Sequence, residues 1–388
     1  MAGIERPTED GSVYEVSNQI SEKLENVVVK RLAVKRKRIS TARVKPGLRC
    51  AKLCGKAEVL FSMIEDSSVD LPEFQNYLDA NVVSMDAQNE FCEVPILASL
   101  RARKIDFFKY LYNRMGQPDL NRKWDSSQHS SVFEYALGFS SVEIIEYIRS
   151  LGGDLGKKDN ILSWVAEYNT VDVVQYYMRK YPELINKWDD AYLYPLMRAA
   201  QHNSLDVVKV LVGAGADVNA ILAFERNMGG VMVKGDSALW FAARFNSVDV
   251  VEFLLASGAR GGQSALVQAG YRSWEIVKLF LDAGLDVNKQ DEHGQSVLYT
   301  ATRRPFDKES EAVILGLIKA GADVNQSTPA NSQTALMNAA EKGSTSLIKL
   351  LLKAGANKNA ENFARRTAFD IASKNGHRNA ESVLFYAR

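Results

Sequence analysis

Side chains able to ligate a metal or act as nucleophiles are few and dispersed in this chain of 388 residues, which has four histidines and three cysteines. His129 and His202 have no companion at ligand spacing. Cys50 and Cys54 fall in an apolar pattern and read as small core residues rather than thiolate ligands. There is no His-Glu-x-x-His, no pair of Cys-x-x-Cys motifs, no P-loop and no nucleophile elbow in a strand–helix context. The stretches "GKKDN" and "GKAEVL" lack the upstream glycines of a phosphate cradle. Many carboxylates, including Asp172, Asp206, Asp249 and Glu275, open helical patterns, where negative charge faces the positive end of the helix. No catalytic residue, metal or cofactor is assigned. An enzyme site assembled across units near 220–311 is kept as an alternative.

Electrostatics offers a second kind of chemistry. Eleven Lys or Arg and no acid lie between Asn26 and Ala57, followed by nine acids and no base between Glu58 and Glu93. The two blocks can neutralise one another by packing. Otherwise "KRLAVKRKR" is a nuclear import signal, a nucleic-acid contact or an anionic-membrane contact, which defines a nuclear or nucleic-acid alternative using 30–56. The formal net charge of +1 hides this asymmetry. The composition, 46% apolar and 24% charged, is that of a folded globular chain. No run of apolar residues is long enough for a membrane span, and the opening "MAGIERPTEDGSVYEVSNQ" lacks a secretory pattern. With sparse, odd-numbered cysteines, this predicts a protein of a reducing cytoplasm, that of a host for an injected effector, or of the nucleus.

The elements that position any site are set by self-similarity. The ending "GADVN" at Asn219 returns as "AGLDVN" at Asn288, "AGADVN" at Asn325 and "AGANKN" at Asn359. Apolar helical patterns precede these and similar endings, as in "DVVKVLV", "EIVKLFL", "AVILGLI" and "SLIKLLL". Ahead of each lies another signature: "VPILASL" at Val94, "SVFEYAL" at Ser131, "ILSWVAE" at Ile161, "YPLMRAA" at Tyr194 and "SALWFAA" at Ser237. It continues as "SALVQAG" at Ser264, "SVLYTAT" at Ser296, "TALMNAA" at Thr334 and "TAFDIAS" at Thr367. Successive starts lie 37, 30, 33, 43, 27, 32, 38 and 33 residues apart.

This pattern resembles the ankyrin-repeat family, whose unit of about 33 residues opens on T-P-L-H-x-A. Nine units are read from Val94 to Arg388, and a degenerate tenth near Pro46, with Leu48, Ala51, Gly55, Val59, Leu60 and Ile64 on family positions. The resemblance implies an all-α solenoid of stacked helix-turn-helix repeats with a divergent N-terminal cap. The expected divisions are an extension over 1–42, a degenerate repeat or cap with an acidic insert over 43–93, and the solenoid over 94–388. An irregular segment is expected over 220–311, where "ILAFERNMGGVMVKGD" forms a long hairpin or loop. The small residues Ala136, Ala166, Ala199, Ala242, Ala269, Ala301, Ala339 and Ala372 admit close helix approach, and glycine after each second helix ends it. The family's first-helix histidine is missing throughout: Leu97, Glu134, Trp164, Met197, Trp240, Val267, Tyr299, Met337 and Asp370 stand there. His293 falls in a hairpin turn and His377 between helices, both structural positions in the family.

In resembling proteins partners bind on the concave face, just past the first-helix alanine. That frame picks out Arg101, Phe139, Tyr168, His202, Arg244, Phe245, Tyr271, Arg272, Arg303, Arg304 and Lys342 as partner-binding residues. Arginine and tyrosine combine contact area with directed hydrogen bonds. Trp188 with Asp189, and Asp291 with His293, are candidates at hairpin tips. The expected function is a monomeric protein-interaction scaffold or adaptor, possible as a bacterial effector, that binds an acidic or mixed apolar protein surface. Asn219 is expected to tie the next hairpin through local hydrogen bonds.

Overall fold

The computed structural model describes residues 55–89, 93–122, 131–154, 160–167, 171–189, 191–222, 226–228, 231–233, 237–260 and 262–387. The basic block up to 54, the cysteines and Tyr168 lie outside these. The chain divides into two compact units, Met1–Lys157 and Lys158–Arg388.

The first unit contains α1 (Gly55–Glu65), α2 (Leu71–Ala80), α3 (Pro95–Arg101), α4 (Ile105–Arg114), α5 (Val132–Phe139) and α6 (Val142–Ser150). α1 packs on α3 and α3 on α5, while α2 packs on α4. α1 therefore occupies the place of a first helix and α2 that of a second. Val59, Leu60 and Ile64 of the degenerate copy are buried on α1, and Leu48 and Ala51 lie outside the described residues. α2 forms because Asp70 accepts from the Glu73 N–H at 2.9 Å and Pro72 occupies the first turn. Its buried Phe74 stacks on Phe107 of α4, with centroids 4.3 Å apart.

The second unit runs α7 (Ile161–Glu167), α8 (Val171–Lys180), a 3-10 turn at Pro182–Leu184, α9 (Pro195–Gln201) and α10 (Leu205–Gly213). A short antiparallel hairpin follows, β1 (Arg226–Met228) and β2 (Val231–Val233), with Asn227 opposite Met232. Then come α11 (Ala238–Arg244), α12 (Val248–Ala256), α13 (Gln263–Gly270), α14 (Trp274–Asp282), α15 (Val297–Ala301) and α16 (Lys308–Lys319). The last two pairs are α17 (Ala335–Glu341) with α18 (Thr345–Lys353), and α19 (Ala368–Lys374) with α20 (Arg378–Tyr386). First helices α7, α9, α11, α13, α15, α17 and α19 stack in that order, each on the next; second helices form a parallel layer. The fold is an α solenoid of stacked repeats.

The eight small residues closing the first-helix signature are all fully buried. A helix pair as short as these is marginal alone, so burial between units supplies its stability. Val251, Val277, Ile314 and Ile348, one from each second helix of four consecutive pairs, are fully buried. Each such side chain contributes about 1.5–3 kcal/mol. Second helices end at Gly215, Gly258, Gly284, Gly321 and Gly355, which adopt φ of +85 to +93°. Where the family histidine is missing, Leu97, Met197, Trp240, Val267 and Met337 are buried apolar replacements. Glu134 and Asp370 do something else there: each completes a capping box, with Ser131 and Thr367.

The D and N of "GADVN" have separate tasks. Asp286 Oδ1 accepts from the Asn288 N–H two residues on at 2.8 Å, forming a local turn. The Asn288 side chain instead reaches the next unit, donating to Gly321 O at 3.0 Å and accepting from the Asp323 N–H at 2.7 Å. Asn186, Asn219 and Asn325 repeat this bridge to the Gly215, Gly258 and Gly355 carbonyls, and Asn121 makes it in the first unit to Gly152. The local tie expected of Asn219 is thus replaced by a tie between units.

Candidate partner-binding surface

The last carbonyls of each first helix have no intrahelical donor, so something must satisfy them. In the second unit this task falls to residues of the following repeat, and it absorbs part of the predicted stripe. Arg304 Nη1 donates to the carbonyls of Tyr271 and Arg272, both at 3.3 Å. Its Nη2 pairs with Glu309 at 2.9 Å and Asp307 at 3.4 Å, and its side chain is only 13% exposed. Lys342 Nζ reaches the carbonyls of Arg303 and Arg304, the latter at 3.0 Å. Burial and the neighbouring Arg303 charge hold the Lys342 ammonium below its ordinary value. In the next repeat Asn375 and His377 both reach Glu341 O. Arg304 and Lys342 therefore act as C-terminal caps, where cations are favoured.

Arg101 of the first unit is also engaged. Its Nε lies 2.9 Å from Glu93 Oε1 and its Nη2 2.6 Å from Glu65 Oε1. Burial works against its charge, yet the two carboxylates hold the guanidinium above its ordinary value. The buried Glu93 also accepts from Asn89 Nδ2 at 2.8 Å and from the Tyr135 hydroxyl. Burial first, then the Glu93 charge, pushes the Tyr135 phenol up. Phe139 is half-buried and leans on Tyr135, 4.7 Å between centroids. Asp79 pairs with Arg114 at 2.7 Å. Three members of the acidic block thus meet arginines of the two helices that follow it. That network was hidden in the sequence because its members lie up to 42 residues apart.

A related cluster stands in the second unit. Arg198 bridges the buried Asp189 at 2.9 Å and Glu167 at 3.3 Å, and His202 Nε2 lies 3.5 Å from Glu167. Burial raises the Glu167 carboxyl against the pull of Arg198. Asp189 organises its turn by accepting from the Ala191 and Leu193 N–H groups, and Asp291 does the same for His293 and Gln295. The two predicted tip acids are turn formers; Trp188 beside Asp189 is 41% exposed.

Five predicted residues remain. Arg244 ends α11 with its guanidinium over the Trp240 ring at 5.0 Å, and the next residue, Phe245, is 44% exposed. Tyr271, 38% exposed, follows α13, and the guanidinium of the exposed Arg272 sits 6.0 Å from its ring. Arg303 lies exposed just past α15. Among the described residues no carboxylate pairs with Arg244, Arg272 or Arg303. α11, α13 and α15 stack side by side, so these five residues follow one another at the ends of consecutive first helices. No group of three His, Cys, Asp or Glu able to hold a metal occurs among the described residues, and no described helix is long and apolar enough to cross a membrane.

Stacked helix pairs with caps shared between repeats define a helical-repeat solenoid. The chain belongs to the ankyrin-repeat family: the family model "Ankyrin repeats (3 copies)" matches residues 133–222, 162–263, 222–291, 239–328 and 299–387. It is similar to a putative ankyrin repeat-containing protein of Treponema pallidum (strain Nichols), 34% identical over 126 residues, which cover 29% of this chain and 41% of that protein. It is also similar to the chicken (Gallus gallus) nuclear factor NF-kappa-B p105 subunit, 32% identical over 200 residues, 49% of this chain and 19% of that one. A third relative is the putative palmitoyltransferase ZDHHC13 of Danio rerio, 23% identical over 67% of this chain and 34% of that protein. The chain spans less than half the length of these curated relatives. Among solved structures, the human ASB11 ankyrin repeat domain aligns with a TM-score of 0.49 at 21% identity, covering 58% of this chain and 97% of that one.

Proposed function

We propose that this protein is an interaction scaffold or adaptor that holds a protein partner of acidic and apolar character on the strip formed by Arg244, Phe245, Tyr271, Arg272 and Arg303. The observation that carries the reading is the contrast within one predicted row. Arg101, Arg304 and Lys342 are engaged inside the stack, whereas Arg244 and Arg272 stand next to the exposed Phe245 and Tyr271 and Arg303 lies exposed, none of the three with a carboxylate partner among the described residues. Exposed arginine and aromatic groups that are not needed for stacking are the anchors of protein interfaces. The compartment we assign is a cytoplasm, the organism's own or a host's, on the strength of its sparse cysteines. The protein acts as a monomer in this reading.

The test replaces Arg244, Phe245, Tyr271 and Arg272 together by alanine and compares proteins captured by the variant and the wild type, quantified by mass spectrometry. Specific partners are expected to be lost while the thermal unfolding midpoint is preserved. An unchanged set of partners on an intact fold refutes the assignment of this strip.

A further inference from the structure

Inside a stack each unit covers the apolar side chains of the one before it, and a terminal unit needs a polar outer face instead. The last helix pair, α19 and α20, departs from this. Phe369, Phe385 and Tyr386 are 37%, 67% and 78% exposed. Phe369 stands at the repeat position of Leu239, Leu266, Leu298 and Leu336, all of them buried. That position faces the following unit, since a Cβ on Gly262, just ahead of α13, would lie 3.3 Å from Leu239 Cδ2. The Phe369 ring is 6.4 Å from that of Phe385, which is 5.1 Å from that of Tyr386. Three rings thus form one aromatic cluster at the end of the stack.

The charges beside the rings point to what covers them. Glu381 of α20 occupies the place of Val251, Val277, Ile314 and Ile348, each fully buried in its own pair. Another unit of the same kind would bury this carboxylate against apolar side chains, which is costly. Arg378, Glu381 and Phe385 recur at i, i+3 and i+7 on one side of α20. Among the described residues neither Arg378 nor Glu381 makes an ion pair. A base, an acid and an aromatic cluster on one face are the elements of a surface that complements itself. We infer that this end face pairs with the same face of a second copy of the chain across a two-fold axis, Arg378 of each copy meeting Glu381 of the other beside the packed rings. In a two-fold contact every cross pair occurs twice, so one acid and one base give two ion pairs. The pair uses up both faces, so assembly closes at two chains and does not grow into a filament. One helix pair offers a small face, at the low end of interface sizes, so the contact is reversible. The chain is single when dilute, as in the reading above, and pairs as it is concentrated. The strip takes no part in this contact, and each copy keeps its own.

The experiment measures the mass of the full chain by sedimentation equilibrium from low micromolar to hundreds of micromolar, with circular dichroism confirming each fold. Wild type is expected to rise from one chain to two and to stop there. Phe385→Ala, at an exposed site, should weaken pairing at least ten-fold. Glu381→Arg and Arg378→Glu should each weaken it alone, because each sets like charges against one another. An equimolar mixture of those two variants should pair as well as wild type, since one copy then carries two bases and the other two acids. The variant with alanine at Arg244, Phe245, Tyr271 and Arg272 should pair like wild type, which separates this contact from the strip. A single chain at every concentration refutes the second copy. If wild type stays single while Phe385→Ala loses proteins that wild type captures, a different protein covers the face and the proposal falls. Pairing that survives Phe385→Ala refutes the face. Pairing that depends on Phe385 but is not restored by the mixture refutes the reciprocal ion pairs.

Discussion

Replacing Asn288 by alanine removes two hydrogen bonds that join one unit to the next, the donation to Gly321 O at 3.0 Å and the acceptance from the Asp323 N–H at 2.7 Å. A hydrogen bond contributes about 0.5–1.5 kcal/mol net, so two give about 1–3 kcal/mol. Both are solvent-exposed, so water can replace the lost partners and the lower half of that range, about 1–2 kcal/mol, is expected. The backbone carbonyl of Asn288 still accepts from Gln326 Nε2 at 2.8 Å, which limits the damage to the side chain. Asn288→Asp should cost at least as much, because a carboxylate keeps the acceptor but turns a second oxygen toward the Gly321 carbonyl. The internal control is Asn359, which ends the last copy of the same motif, between α18 and α19. It makes the local turn with Asn357 at 3.0 Å, and no bond from its side chain is described. Asn359→Ala is expected to be neutral within about 0.5 kcal/mol. Equilibrium urea unfolding of the three variants and wild type decides the matter. Equal losses at Asn288 and Asn359 refute the bridge and make the asparagine a matter of its own turn.

Three further outcomes follow from the geometry. A Cβ on Gly316 would lie 2.5 Å from the Trp274 ring, so Gly316→Ala should cost about 1–3 kcal/mol through overpacking, against a helix-propensity gain of about 0.5–1 kcal/mol. Urea unfolding should show the sign reverse once Trp274 is shortened to leucine. Arg304→Ala should destabilise by about 1–3 kcal/mol, since its shielded head caps two carbonyls and meets two acids, whereas Arg303→Ala should change stability by less than about 0.5 kcal/mol. Similar losses for both in thermal unfolding would contradict their separate roles. Burial raises the Glu167 carboxyl from 4.5, so the folded state holds this proton more tightly than the unfolded one. Stability from this group is fullest below 4.5 and declines as pH rises through the raised value. The stability of wild type relative to Glu167→Gln, from denaturant midpoints across that window, should therefore fall with rising pH; a rise would mean that Arg198 dominates.

Much of the fold was legible because repetition multiplies a weak signal. One "GADVN" is a common turn, but its returns, each after an apolar helix and each followed by a buried small residue, leave only a stack that can cover those faces. The capping serines and threonines at Ser131, Ser237, Ser296, Thr334 and Thr367 were part of the same signature and do cap their helices. Other features needed the packed structure. α1 takes a first-helix place in the degenerate copy, because the side that meets α3 is settled by packing and not by a local pattern. Amides from Asn160 and Gln263, just ahead of α7 and at the start of α13, reach carbonyls 23–27 residues ahead, beyond any local motif.

For the surface the division is sharper. Sequence alone nominated the row, because position within a repeat sets where a residue stands relative to its first helix. It could not separate Arg303 from Arg304, adjacent residues of one type. Their roles diverge because the turn after α15 sends them apart, Arg303 exposed and Arg304 over carbonyls 32 and 33 residues earlier with two acids beside it. Whether a charge is engaged or available depends on which distant groups lie within a few ångströms, and only the stacked structure brings those groups together.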